Sequence, residues 1–145
     1  MIYLYQDQNN TVPAVCSRNG FLMDPEYLWV ITHKLTNTMW NFIPFRIPPS
    51  TDYKPGYDLF CIQVSGGTQV YTGATSCANT VNLNLIPGEY FINIYEQYSN
   101  SNLNPNNADD IVYETLMFVI GVNQNEPITY SGTSDIFILY NENND

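Results

Sequence analysis

The chain has 145 residues and a formal net charge of −10, with only 12% charged residues. At this length one domain is the default, able to bury a core of its own. Four Lys and Arg against 14 Asp and Glu cannot form a phosphate-gripping patch, so neither nucleic acid nor an anionic membrane surface is expected as a partner.

Aromatics make up 14% of the chain, 12 of them Tyr. Tyr, Val, Ile, Thr and Phe favour pleated, half-buried surfaces. Residues 2–5 read as a short strand, followed by a polar turn over 6–10. Val12, Ala14 and Cys16 then alternate with polar neighbours, and Pro13, which has no N–H for a ladder, predicts an edge strand. Asn19-Gly20 marks a turn. Residues 27–32, YLWVIT, form an apolar run suited to a strand buried on both faces, with Trp29 as core anchor. A turn over 34–39 leads to a strand over 40–47, and residues 48–56 form a Pro-rich loop.

Residues 58–64, DLFCIQV, predict the next strand, with Leu59 facing the core. Residues 69–72 suit a short strand and 73–80 a small-residue loop. Val81, Leu83 and Leu85 alternate with Asn82 and Asn84, the period-2 pattern of a strand with one buried face. Pro87 and Gly88 make a corner. Beyond it Tyr90, Ile92 and Ile94 share the buried face. The run Leu85-Ile86-Pro87-Gly88-Glu89-Tyr90 resembles the tyrosine corner of immunoglobulin-like sandwiches, where a Tyr hydroxyl bonds backbone at the turn between two sheets. The plain alternative is an ordinary hairpin with a chance Tyr. The polar stretch 99–110, SNSNLNPNNADD, reads as a surface loop between strong strands, and 111–120, IVYETLMFVI, as a long closing strand. The fold class expected is therefore all-β, an immunoglobulin-like antiparallel sandwich over residues 1–121. Residues 122–145 form a C-terminal extension. In it Ile136, Phe137, Ile138, Leu139 and Tyr140 make an apolar assembly arm, pairing either with the sandwich's own edge or with a neighbouring subunit.

Little in the sequence points to chemistry. His33 is the single histidine, and without a partner at ligand spacing it reads as a surface or strand-end residue. Cys16, Cys61 and Cys77 show no metal-ligand spacing. Cys16 and Cys61 are expected as core thiols and Cys77 as an exposed loop thiol, a usage suited to a reducing cytoplasm. No signal peptide and no spanning segment is expected. There is no nucleophile elbow and no phosphate-binding loop. Asp109-Asp110 lacks a calcium-loop pattern and reads as solvated acids. Glu96 and Glu114 read as polar-face residues held by basic side chains or backbone donors. No catalytic, metal or cofactor residue is assigned.

The layout as a whole carries a resemblance. A short N-terminal strand is followed by PEYLWVITHKLTN, by LIPGEYFINIYEQYSNSNLNP and by IVYETLMFVIG. With Gly88, Tyr90, Ile94, Tyr95, Glu96, Tyr113, Glu114 and Thr115 as the shared positions, the chain resembles a family of small virion structural proteins of tailed phages of Bacteroidetes hosts, crAss-like phages included. It departs at Pro55-Gly56-Tyr57-Asp58, where members often carry an Arg, and beyond Gly121. The resemblance implies a non-enzymatic protein, made in the host cytoplasm and placed in the virion. Its partners would be the major capsid protein or neck proteins, together with copies of itself. An auxiliary capsid (decoration) protein is the first expectation and a neck or tail ring component the second. A carbohydrate-binding sandwich on a fibre, using Tyr and Asn loops, is a third.

Overall fold

Strand formation follows the alternation of the sequence, and Pro44 breaks it between two strands. The computed structural model describes residues 1–49 and 56–122. The expected arm, Ile136 to Tyr140, lies outside the described residues. Among the described residues nine strands form in order: β1 (Ile2–Tyr5), β2 (Gln8–Ala14), β3 (Glu26–His33), β4 (Met39–Phe42), β5 (Phe45–Arg46), β6 (Asp58–Val64), β7 (Asn82–Leu83), β8 (Gly88–Gln97) and β9 (Asp110–Ile120). They build two packed sheets, one ordered β1-β9-β8-β3-β4 and the other β2-β6-β5, with β7 also on β6. The chain is an all-β sandwich.

Most pairs are antiparallel, and to these β1 adds on β9 and β7 on β6 in parallel. The cause at β1 is connectivity. Its tight turn sends the chain straight into the opposite sheet as β2, leaving β1 alongside the last strand and running the same way. Asn10 fastens that turn: its side chain accepts from the Tyr5 N–H (2.8 Å) and donates to the Tyr5 carbonyl (3.0 Å). β2 is an edge strand, with Pro13 opposite Leu59.

The strand expected over 40–47 is in fact two. Phe42 belongs to the larger sheet and Phe45 to the smaller. Pro44, between them, cannot continue a ladder, and the chain changes sheet there. Residues 69–72 make no strand; Val70 forms an isolated bridge to Asn82.

The core lies between the sheets. Trp29, Ile31, Phe42, Tyr90, Ile92 and Ile94 meet Phe60, Ile62, Val64, Leu83 and Leu85 there, all essentially fully buried. Trp29 stacks edge-on against Phe60, with centroids 5.1 Å apart. Burying each such side chain contributes about 1.5–3 kcal/mol. Leu59 is a correction: it is only partly buried, and its neighbours Phe60 and Ile62 occupy the core. DLFCIQV is apolar on both faces, so alternation alone did not fix its register.

A second, smaller apolar cluster covers the outer face of the larger sheet. Leu28, Val30 and Ile43 pack there with Tyr95, Leu103 and Ala108. The last two come from the Asn-rich loop, which is therefore more than a spacer. Buried Gln97 donates to the Ser99 and Asn102 carbonyls (2.8 and 3.0 Å), and its carbonyl oxygen accepts from the Asn102 side chain (2.7 Å). Asn104 caps a short 3₁₀ turn at Pro105–Asn107. Side-chain bonds to nearby backbone give this polar loop its shape.

Candidate functional site

The corner comes first. The Tyr90 hydroxyl donates to the Ile86 carbonyl at 2.7 Å, and its ring is fully buried. Burial pushes the hydroxyl's pKa well above its usual range. Gly88 sits at φ 139, and a Cβ there would lie 2.8 Å from the His33 ring. Only glycine fits that close approach and that backbone conformation. His33 ends β3, one of its two expected placements, and at 2% exposure it is not the surface residue of the other. Its ring packs edge-on against Tyr90, centroids 4.8 Å apart, while Nδ1 pairs with the Thr36 hydroxyl at 3.0 Å. Pro87, Gly88 and Tyr90 together form a rigid joint between the sheets.

Two buried carboxylates organise the opposite end. Asp58 opens β6. One of its oxygens accepts from the Cys16 and Ser17 N–H groups (3.2 and 2.8 Å); the other takes Arg46 at 2.8 Å. The Arg46 guanidinium also lies over the Tyr27 ring, 5.3 Å from its centroid. Burial, and secondarily the Asp58 charge, push the Cys16 thiol and the Tyr27 hydroxyl far up from their ordinary pKa values. Glu96, at 1% exposure, takes the Phe21 N–H on both oxygens (2.9 and 3.1 Å) and the Leu22 N–H at 3.1 Å. It shares the buried face of β8 with Ile94, so its expected polar-face placement is corrected, although backbone donors do hold it. Glu114 is exposed on β9.

Two of the three cysteines depart from expectation, while Cys16 is the buried core thiol expected. Cys61 and Cys77 form a disulfide, with Cα atoms 5.1 Å apart, and Cys16 is a free buried thiol. The small-residue loop lies against the outer side of β6, where Cys61 points. Thr80 fastens it further, donating to the Cys61 carbonyl at 2.6 Å and accepting from the Phe45 N–H. The sequence separation of 16 carries no signal of this pairing; it depends on the loop folding back onto the sheet.

Around this frame, several large apolar side chains face solvent. Phe21 is 86% exposed, Met23 85% and Leu35 88%. Phe21 and Met23 belong to the β2–β3 loop that the two carboxylates hold; Leu35 lies in the β3–β4 turn at the other end. Met39 and Phe91 are more than half exposed on the outer face of the larger sheet. A cavity of about 320 Å³ opens beside the β2–β3 loop, between Asp24, Pro25, Ile43, Pro44, Phe45 and Arg46 among others. A more apolar groove of about 600 Å³ lies between β1 and β2, with Tyr57, Leu59 and Tyr113 on its walls. Among the described residues no cluster of His, Cys, Asp and Glu could hold a metal ion, and no helix is long and apolar enough to cross a membrane.

No family model, no curated protein and no solved structure matches this chain.

Proposed function

We propose that this chain is a non-enzymatic structural protein of a tailed-phage virion, an auxiliary capsid protein bound in many copies to the shell. The observation that carries the reading is the display of Phe21, Met23 and Leu35 almost entirely in solvent on a sandwich whose interior is otherwise well filled. Scattered exposed apolar residues are ordinary, but two on one hydrogen-bonded loop mark a surface built for contact. The buried carboxylates are engaged in structural work, Asp58 with Arg46 and backbone, Glu96 with backbone. His33 is locked beneath Gly88.

The resemblance to small virion proteins of tailed phages of Bacteroidetes hosts supports the same reading. Its shared positions fall on paired strands, with Ile94 opposite Tyr113. Tyr90 and Glu96 among them hold the corner and the β2–β3 loop. We also read the sandwich as immunoglobulin-like. Two features support this reading: β7 aside, the order β1-β9-β8-β3-β4 over β2-β6-β5 corresponds to an A′GFCC′ sheet on a BED sheet, and the Tyr90–Ile86 bond is the contact a tyrosine corner calls for. The fibre-borne sugar-binding alternative is less favoured, because Asn102 and Asn104 direct their side chains to their own loop.

Quantitative mass spectrometry of purified virions tests the proposal. Hundreds of copies per particle support a shell protein. About a dozen copies indicate a ring with closed cyclic symmetry at the neck or tail. Absence from the particle overturns the virion reading.

A further inference from the structure

The β2–β3 loop is held from both ends by groups that are costly to bury. Asp58 fixes its start at Cys16 and Ser17, and Glu96 fixes Phe21 and Leu22. Gly20 lies flat against the Glu96 carboxylate, leaving no room for a side chain. A buried carboxylate is tolerated only when hydrogen bonds satisfy it, and in this loop geometry backbone N–H groups satisfy both acids. That backbone nonetheless turns Phe21 and Met23 outward. Large apolar side chains on a preformed loop lose little freedom on binding, which is the condition for an effective anchor. Phe supplies rigid area and Met adapts to an irregular pocket.

The surroundings set the partner's chemistry. Asp24 and Glu26 follow directly and are exposed, outnumbering the one basic residue of the loop, the exposed Arg18. Asp109 and Asp110 are exposed at the start of β9, where Asp110 pairs with Glu96 and so lies at the same end of the sheet. We propose that this loop is the docking element of the protein: Phe21 and Met23 insert into an apolar pocket of another virion protein, and Lys and Arg on that pocket's rim meet the acids around them. This rests on the virion reading above. A second copy is the poorer occupant, since each copy carries a net charge of −10 and would bring the same acids to the contact.

The test is add-back of the recombinant full chain to particles lacking it, followed by co-sedimentation. Wild-type chain should bind saturably, and more weakly as salt rises, because the rim charges are exposed. Phe21→Ser combined with Met23→Ser should melt like wild type, both sites being exposed, yet bind at least about 30-fold more weakly, the loss typical of interface hot spots. Met23→Ser alone should fall between the two. Phe91→Ser, on the outer sheet face, should bind as wild type. Wild-type-like binding by the double variant overturns the docking assignment while leaving the virion reading intact. Salt-independent binding overturns the basic rim. Self-association of free wild type that Phe21→Ser abolishes overturns the heterologous partner. Failure of the wild type to bind any particle overturns the virion reading, and the docking proposal with it.

Discussion

Replacing Glu96 by Ala should show how much of the β2–β3 loop depends on one side chain. The carboxylate receives two backbone N–H groups, one of them on both oxygens, at 2.9–3.1 Å. Hydrogen bonds to a charged group are worth about 1.5–3 kcal/mol each. The loop lies at the surface, so water can reach part of what Ala leaves behind, and the lower figure applies to both. The expected loss is then about 3 kcal/mol, from two bonds at about 1.5 kcal/mol. Glu96→Gln keeps one acceptor but turns an NH₂ toward a donor, and should lose somewhat less. The assay is urea unfolding followed by tryptophan fluorescence, since Trp29 is buried in the core and Trp40 packs against it. A two-state fit gives the difference directly. Amide exchange at Phe21 and Leu22 should accelerate in the same variant. A loss below about 0.5 kcal/mol, the range of an ordinary surface substitution, would mean that Glu96 does not hold the loop and would remove the preorganisation argument with it.

Tyr90→Phe removes the bond to Ile86 and should cost about 1 kcal/mol in the same melts; no change would reduce the corner to a plain hairpin. Ile94→Ala, at a fully buried site, should cost about 2–5 kcal/mol, and a near-neutral result would contradict the register of β8. Cys77→Ser opens the loop closed onto Cys61 and should cost about 3 kcal/mol by the loop-entropy account; equal stability with and without reductant would count against the disulfide. Tyr27 and Tyr90 have folded-state pKa values raised above the unfolded value by burial, so their contribution is complete below about pH 10 and is lost as pH rises beyond it. Tyrosinate absorbance should show both rings titrating only with alkaline unfolding, and early titration of all the tyrosines would refute their burial.

Much of the larger sheet was legible because its strands carry clean signals. Tyr90, Ile92 and Ile94 alternate, and the run from Tyr27 to Ile31 is apolar throughout, so these side chains fell where expected. The same alternation, carried two residues further, also places His33 beside Ile31 and Glu96 beside Ile94. His33 was read as a surface or strand-end residue and Glu96 as a polar-face residue, because polarity was weighed above phase. At β6 the opposite problem arose: with apolar residues on both faces, nothing local separates Leu59 from Phe60. The single strand expected over 40–47 passed over Pro44, which ends the ladder of β4, and packing moves the chain to the other sheet there. The Cys61–Cys77 pair and the cover that Leu103 gives to Leu28 and Val30 are tertiary facts, made by loops folding back onto sheets. The docking loop was half visible: Asn19-Gly20 announced a turn, but the exposure of Phe21 and Met23 follows from how two distant carboxylates hold it.

A cryo-EM reconstruction of the intact virion tests the central claim most directly. The account predicts two-sheet sandwich density repeated over the capsid shell, with the end that carries Phe21 and Met23 seated in an apolar pocket of the capsid protein. A shell without this density, or copies whose β2–β3 loop points into solvent, would contradict it.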